Sequence, residues 1–178
     1  MKRLLFAAAC VVGLSPVESC LAQTAPTAVV TDASAAEFVT QAARVPMLDL
    51  AAASEVEQKI KDPAYRAYAR QVIADDTTMQ KTLQELARSV GVALPNGLDD
   101  ERALVLRDLQ ASDGAQLEQK YRSSQIGGTR QAIEMIHNFE RNAHDPKMKL
   151  WAETALPALQ KHLEAAMRLP EIPSAPQG

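Results

Sequence analysis

Apolar side chains recur every three to four positions from Phe38 to Leu169, and that period predicts helices along almost the whole stretch. Ser34-Ala-Ala-Glu37 reads as a capping box opening a first helix. Its seam runs Phe38, Ala42, Val45, Ala52, Val56 and Ile60, with Pro46 expected to kink it. Asp62-Pro63 ends that helix and begins a second, with Asp as N-cap and Pro at the first helical position. The second helix carries Tyr65, Ala69, Val72, Met79, Leu83, Leu86 and Val90 and stops at Gly91. Leu94-Pro95-Asn96-Gly97 is a turn, 99–110 a short helix, and Ser112-Asp113-Gly114 another break. A third helix over 114–142 places Leu117, Tyr121, Gly128, Ala132, Met135 and Phe139 on one stripe. Asp145-Pro146 opens a fourth, with Met148, Ala152, Ala155, Leu159, Leu163, Ala166 and Leu169.

The pattern repeats at an offset of 83. Asp62-Pro63-Ala64-Tyr65-Arg66-Ala67-Tyr68-Ala69 aligns with Asp145-Pro146-Lys147-Met148-Lys149-Leu150-Trp151-Ala152, and Phe38 aligns with Tyr121. Each half is an αα-hairpin with long arms and a tight Asp-Pro corner. The expected fold is therefore all-α: a ferritin-like four-helix bundle made of two repeated hairpins, with a short helix in the connector. It occupies residues 34–169, between a flexible leader at 23–33 and a disordered Pro-rich tail at 170–178.

The N-terminus reads as an address. Lys2 and Arg3 precede an apolar run from Leu4 to Leu14 that is too short to span a bilayer. A polar stretch then leads to Cys20-Leu21-Ala22, where cleavage after Ala22 is expected, so that 1–22 is a signal peptide. A lipoprotein reading, with Cys20 lipidated, is the rival. The mature chain has no apolar stretch of membrane length and no thiol, because Cys10 and Cys20 lie in the removed segment. Loss of Lys2, Arg3 and Glu18 takes the formal charge from −3 to −4. Acidic and basic residues are interleaved without a basic patch or aromatic platform, which argues against nucleic acid as a partner.

Chemistry should lie where polar residues interrupt a seam. Asp49 falls within the first helix's stripe, Asp76 within the second's, and His162 on the inward side of the fourth. On the third helix the inward position is Gly128, flanked by Thr129. Asp49 stands 13 residues before Asp62 and Asp76 stands 14 after it, each about 20 Å from the first corner. His162 is 17 residues past Asp145, about 25 Å from the second corner. All three fall near mid-bundle whether the corners share an end or oppose each other. Ionised carboxylates in an apolar core pair, bind a metal or take up a proton. Asp49, Asp76 and His162 would suit Zn, Mn or Fe. The alternative is a hydrogen-bond knot in which His162 bridges the two carboxylates. Removing Asp76 from such a paired set would cost roughly 3–5 kcal/mol.

Other features are better read structurally. Glu134-Met-Ile-His137 spells Glu-x-x-His, but di-iron bundles carry that motif on two helices, and it occurs once here. His144 belongs to the second corner, the methionines do not cluster, and Tyr65, Tyr68 and Trp151 fit the core near the corners. No phosphate loop and no nucleophile with a placed base is present, so no catalytic residue is assigned.

Three stretches resemble the exported bacterial family called domain of unknown function 4142. These are Tyr68-Ala-Arg-Gln-Val-Ile-Ala-Asp-Asp76-Thr77, Gly91-Val-Ala-Leu-Pro95, and Thr154-Ala-Leu-Pro157-Ala-Leu-Gln-Lys-His162-Leu163. The resemblance covers about 37–169 and implies a ferritin-like bundle, periplasmic or associated with the outer membrane. It implies no reaction. Members of that family usually have His at the positions of Asp76 and Thr129 and Glu at that of Asp49, while the acid at Asp75 and the histidine at His162 are kept. A metal cluster carried over from the family would thus be altered here. The expected function is a non-catalytic binding or stress-related envelope module with an envelope protein as partner. The alternative is a divalent-metal-binding protein using Asp49, Asp76 and His162.

Overall fold

Asp62 and Asp145 set the two tight corners of the fold, and each does so by the same chemistry. The computed structural model describes residues 33–142 and 145–172. The expected signal peptide with both cysteines, the leader to residue 32, His144 and the tail from 173 lie outside the described residues. Asp62 Oδ1 accepts from the backbone N–H groups of Ala64 and Tyr65, and Asp145 Oδ1 from those of Lys147 and Met148. Each thereby satisfies donors that a helix start leaves free, and Pro63 and Pro146 occupy positions where no N–H is needed. Asp62→Ala and Asp145→Ala should each lower stability by about 1 kcal/mol, and the double variant by the sum. Urea melts of the three variants check this.

The described chain is all-helical: α1 Ala33–Lys59, α2 Pro63–Val90, α3 Asp100–Gln110, α4 Gly114–Asn142 and α5 Pro146–Arg168. No strand occurs among the described residues. α1 starts at Ala33, one residue ahead of the expected Ser34 cap, and runs unbroken through Pro46. α2 ends at Gly91, whose φ of 72° gives the left-handed cap that only glycine adopts without strain. α5 is shorter than α2, 23 residues against 28. Pro170 restricts Leu169 to extended backbone (ψ 143°) and stops the helix there.

α1 packs along α2 and α4 along α5; α1 also faces α4, and α2 faces α5. α3 lies against α1 and α4. The core divides into two clusters, and their membership gives the direction of each helix. One joins Phe38 and Val39 of α1 to Leu83 and Leu86 of α2, Ile136 of α4, and Met148 and Trp151 of α5. The other joins Val56 and Ile60, Tyr65 and Val72, Leu117 and Tyr121, and Ala166. The two Asp-Pro corners therefore sit at opposite ends, and the connector containing α3 travels the bundle's length between them. Tyr65, Tyr68 and Trp151 are core residues, as expected, with the Tyr65 hydroxyl donating to Pro170 O and the Trp151 indole to Thr82 Oγ1.

The inward stripe of α4 differs from expectation. It reads Leu117, Tyr121, Gln125, Thr129, Ala132 and Ile136, and Gly128 is exposed. The spacing from Tyr121 by successive fours leads to Gln125 and Thr129; reading for apolar residues alone leads to the glycine. Val45 and Leu163 are half-buried instead of central.

Candidate functional site

Between the two apolar clusters lies a polar layer to which each long helix contributes. α1 supplies Asp49, α2 Asp75 and Asp76, α4 Gln125 and Thr129, and α5 His162. Asp76 (1 % exposed), Gln125 (1 %), Thr129 and His162 (3 %) are buried, and Asp49 is half-buried. Asp49, Asp76 and His162 thus share the level expected of them, but no direct hydrogen bond joins any two of them.

Two hydrogen-bond chains occupy the layer, joined by a long 3.5 Å contact from the Tyr68 hydroxyl to the His162 backbone carbonyl. In the first, the Tyr68 hydroxyl donates to Gln125 Oε1 at 2.9 Å, and Gln125 Nε2 donates to Asp49 Oδ1 at 2.8 Å. In the second, His162 Nε2 lies 2.8 Å from Asp75 Oδ2, which also accepts from Gln71 Nε2 at 2.7 Å. Burial raises the Asp75 pKa, but the hydrogen bonds of Gln71 and His162 and the charges of His162 and Lys161 outweigh it and hold the carboxyl below its usual range. As an ionised acceptor, Asp75 requires the proton on His162 Nε2. His162 therefore does not bridge Asp49 and Asp76; its partner is Asp75, half-buried and one position along α2.

Asp76 stands apart from both chains. Neither of its carboxylate oxygens has a hydrogen-bond partner, and the buried Tyr121 hydroxyl has none either. Burial pushes the Asp76 carboxyl up to about 8, and the negative charges of Asp49 and Asp75 push in the same direction. Burial likewise pushes Asp49 up to about 6, against the hydrogen bond from Gln125 and the charges of His162 and Arg102. The phenols of Tyr68 and Tyr121, whose rings meet edge to face at 5.9 Å, are raised first by burial; Tyr68 then adds to the rise at Tyr121, and Asp49 and Asp76 push both in the same direction. Asp76 is thus an unpaired buried acid and not, as expected from the seam angles, one member of a charge-paired set.

Two grooves reach this layer from opposite pairs of helices. The α1–α4 groove, about 630 Å³, has Asp49 in its wall together with Glu37, Glu101, Arg102, Gly127 and Gly128. The α2–α5 groove, about 620 Å³, has Asp75 in its wall with Trp151, Leu150, Lys147 and Lys161. Among the described residues no three His, Cys, Asp or Glu side chains are gathered closely enough to hold a metal ion. His137 of the Glu-x-x-His stretch is exposed and 3.6 Å from Glu140, away from the layer. No described helix is long and apolar enough to cross a membrane.

The residues that sequence reasoning missed are Gln125 and the pairing role of Asp75. Gln125 carried a usable signal, its place in the ladder of fours from Tyr121. The choice of Asp75 over Asp76 by His162 had a signal only in the family resemblance, which implies that the acid at Asp75 and the histidine at His162 are kept; the spacing carried none, since adjacent positions on α2 differ only in how α5 approaches them.

Solved structures share this architecture. A DUF305 fragment from Deinococcus radiodurans superposes with a TM-score of 0.68 at 12 % identity, over 77 % of this chain and 95 % of that one. CopM in its Cu(I)-bound form superposes with a TM-score of 0.62 at 16 % identity, over 74 % of this chain and 91 % of that one. At such identities the likeness is one of fold. No curated protein matches the chain. The sequence pattern of a family does match, over residues 19–169: the chain belongs to the family described as domain of unknown function (DUF4142).

Proposed function

We propose that this protein is an exported, non-catalytic binding module of the bacterial envelope, built as a two-hairpin ferritin-like bundle, and that its polar layer takes up a divalent cation through Asp49, Asp76 and His162. The observation that carries the reading is the Asp76 carboxylate, 1 % exposed with both oxygens unpartnered. A native core rarely leaves a buried carboxyl in that condition without a ligand to satisfy it. The orientation of His162 supports the reading as well. Its Nε2–H faces the Asp75 carboxylate, the arrangement in which metal-binding imidazoles are commonly held, and Nδ1 is left as the ligating atom. No three ligating side chains are gathered closely enough among the described residues, so this reading requires Asp49, Asp76 and His162 to converge by side-chain rotation on binding.

CopM is described with Cu(I) bound. The donors here are carboxylate oxygens and an imidazole, with no thiolate or thioether among them, and these favour a harder ion such as Zn, Mn or Fe. The signal peptide with cleavage after Ala22, or lipidation at Cys20, belongs to the same proposal and is read by the intact mass of the exported product.

A specific observation favours one other reading, in which the layer only specifies packing: the Tyr68–Gln125–Asp49 chain is satisfied without any ligand. Metal analysis of protein purified from the periplasm without chelators separates the two. A bound cation at 100 times its Kd adds about 2.7 kcal/mol to stability. EDTA should therefore lower the melting temperature of the wild type and leave His162→Ala unmoved. Metal-free protein, with melting indifferent to EDTA, would leave only the packing role.

A further inference from the structure

The α1–α4 side of the bundle is covered by α3, which packs against both helices. Among the described residues no helix lies across the α2–α5 groove, whose volume of about 620 Å³ is that of a ligand-binding cleft. Its floor is apolar, with Met79 and Leu86 from α2 and Trp151 and Ala155 from α5, and Leu150 stands 64 % exposed on the rim.

The polar groups along the groove are turned back on the protein. The hydroxyls of Thr78, Thr82, Ser89 and Thr154 donate to the carbonyls of Ala74, Met79, Leu86 and Leu150 in their own helices. The Trp151 indole N–H donates to Thr82 Oγ1. These groups therefore keep no proton for a ligand, and the donors that remain are the ammonium groups of Lys147 and Lys161. The Thr82–Trp151 bond fixes the register of the two antiparallel helices. Glu85, about one turn further along α2, and Lys147, one turn earlier on α5, fall at one level and offset each other's charge. Lys161 stands at the other end, 14 residues or about 21 Å along α5. Asp75 shares that end, but its carboxylate already accepts from His162 and Gln71. Lys161 acts on Asp75 through its charge and makes no ion-pair contact among the described residues.

We infer that the α2–α5 groove binds a free single-chain amphiphile with a carboxylate head, of the fatty-acid type, its head at Lys161 and its chain running over Ala158, Ala155 and Trp151 toward Leu86. The inference is independent of the cation reading, which concerns the interior of the layer. An apolar chain covers the floor and asks nothing of the occupied hydroxyls. A head that only accepts hydrogen bonds meets the end where a charged donor is uncommitted, whereas a cationic head meets Lys161 as a like charge.

Trp151 is the chain's sole tryptophan, so its emission reports on this groove. The probe is cis-parinarate, a fatty acid whose absorption overlaps tryptophan emission, added to the mature chain below the concentration at which it aggregates. It should quench Trp151 saturably, and dodecanoate should displace it. Affinity should rise roughly twofold per methylene from decanoate to tetradecanoate, about half the effect of full burial because the groove is open on one side. Lys161→Gln should weaken dodecanoate by about fivefold, the upper range for an exposed ion pair, and leave dodecanol unchanged. Leu150→Ser, at an exposed position where the fold is not at stake, should weaken both severalfold. Ala158→Phe fills the middle of the groove and should abolish both, with the helical circular dichroism retained. Phosphatidylglycerol vesicles should leave Trp151 emission unmoved. A response to vesicles and not to dodecanoate would make a membrane surface the occupant and overturn the proposal. Dodecanol bound as tightly as dodecanoate overturns the carboxylate head. Absence of quenching, or quenching that survives Leu150→Ser undiminished, overturns the site.

Discussion

Replacing Asp76 with Asn is expected to stabilise the metal-free protein by several kcal/mol at pH 8 and by much less at pH 5. The sign follows from burial. Asp76 is held at about 8 in the folded chain, against an ordinary value of 3.8. Between those values the unfolded chain has released the proton and the folded chain retains it. The unfolded state then binds fewer protons, so stability falls as pH rises. Below about 4 both states are protonated and the full stability is present; above about 8 both are ionised and the loss is complete. Every tenfold difference in proton affinity between the two states is worth about 1.4 kcal/mol, so a carboxyl displaced this far outweighs most single contacts. Asn keeps the shape, cannot ionise, and removes the slope. The expectation drawn from sequence had the opposite sign because it assumed a partner for Asp76, and both oxygens lack one. Urea melts from pH 5 to pH 8 in the presence of EDTA test it. A variant less stable than the wild type at pH 8 would mean that the carboxylate is favourably bound there after all.

Gln125→Leu should cost about 3 kcal/mol at pH 8 and less at pH 5. The amide links Tyr68 to Asp49, so leucine leaves a buried phenol with only its long 3.5 Å bond to His162 O and a half-buried carboxylate without its donor. Each orphaned group costs about 1–3 kcal/mol. The pH dependence comes from Asp49. Burial raises it to about 6 and the Gln125 hydrogen bond pulls it down, so loss of the amide lets it rise further. At pH 5 the stranded carboxyl takes up a proton and part of the cost is relieved. For the same reason Asp49→Asn/Gln125→Leu should cost less than the two single changes added together. A loss that is independent of pH and additive with Asp49→Asn would show that Gln125 acts only by filling space.

Much of the helical framework was legible because its signals are local. A cap, a proline at the first turn and a glycine in the left-handed conformation each act within a few residues, and the repeat at offset 83 made the Asp-Pro corners visible twice. The level of the polar layer was legible too, since helix rise converts residue counts from a corner into height. Legibility failed where the stripe was read by hydrophobicity alone. On α4 that placed Gly128 inward, whereas Gln125 and Thr129 point into the core.

From the sequence alone follow the helices, their order, the corners, and the fact that Asp49, Asp76 and His162 lie at one level on inward faces. Those properties depend on the fixed rise and turn of a helix and on chemistry between neighbours along the chain. Tertiary structure alone decided that the corners lie at opposite ends, that His162 turns to Asp75, that Gln125 answers Asp49, and that Asp76 has no partner. Which side chains pair across a bundle depends on how helices far apart in sequence rotate against one another, and a rotation of one residue, about 100°, exchanges Asp75 for Asp76. That rotation is set by the two apolar clusters above and below the layer, so the chemistry of the middle is decided by the packing at the ends.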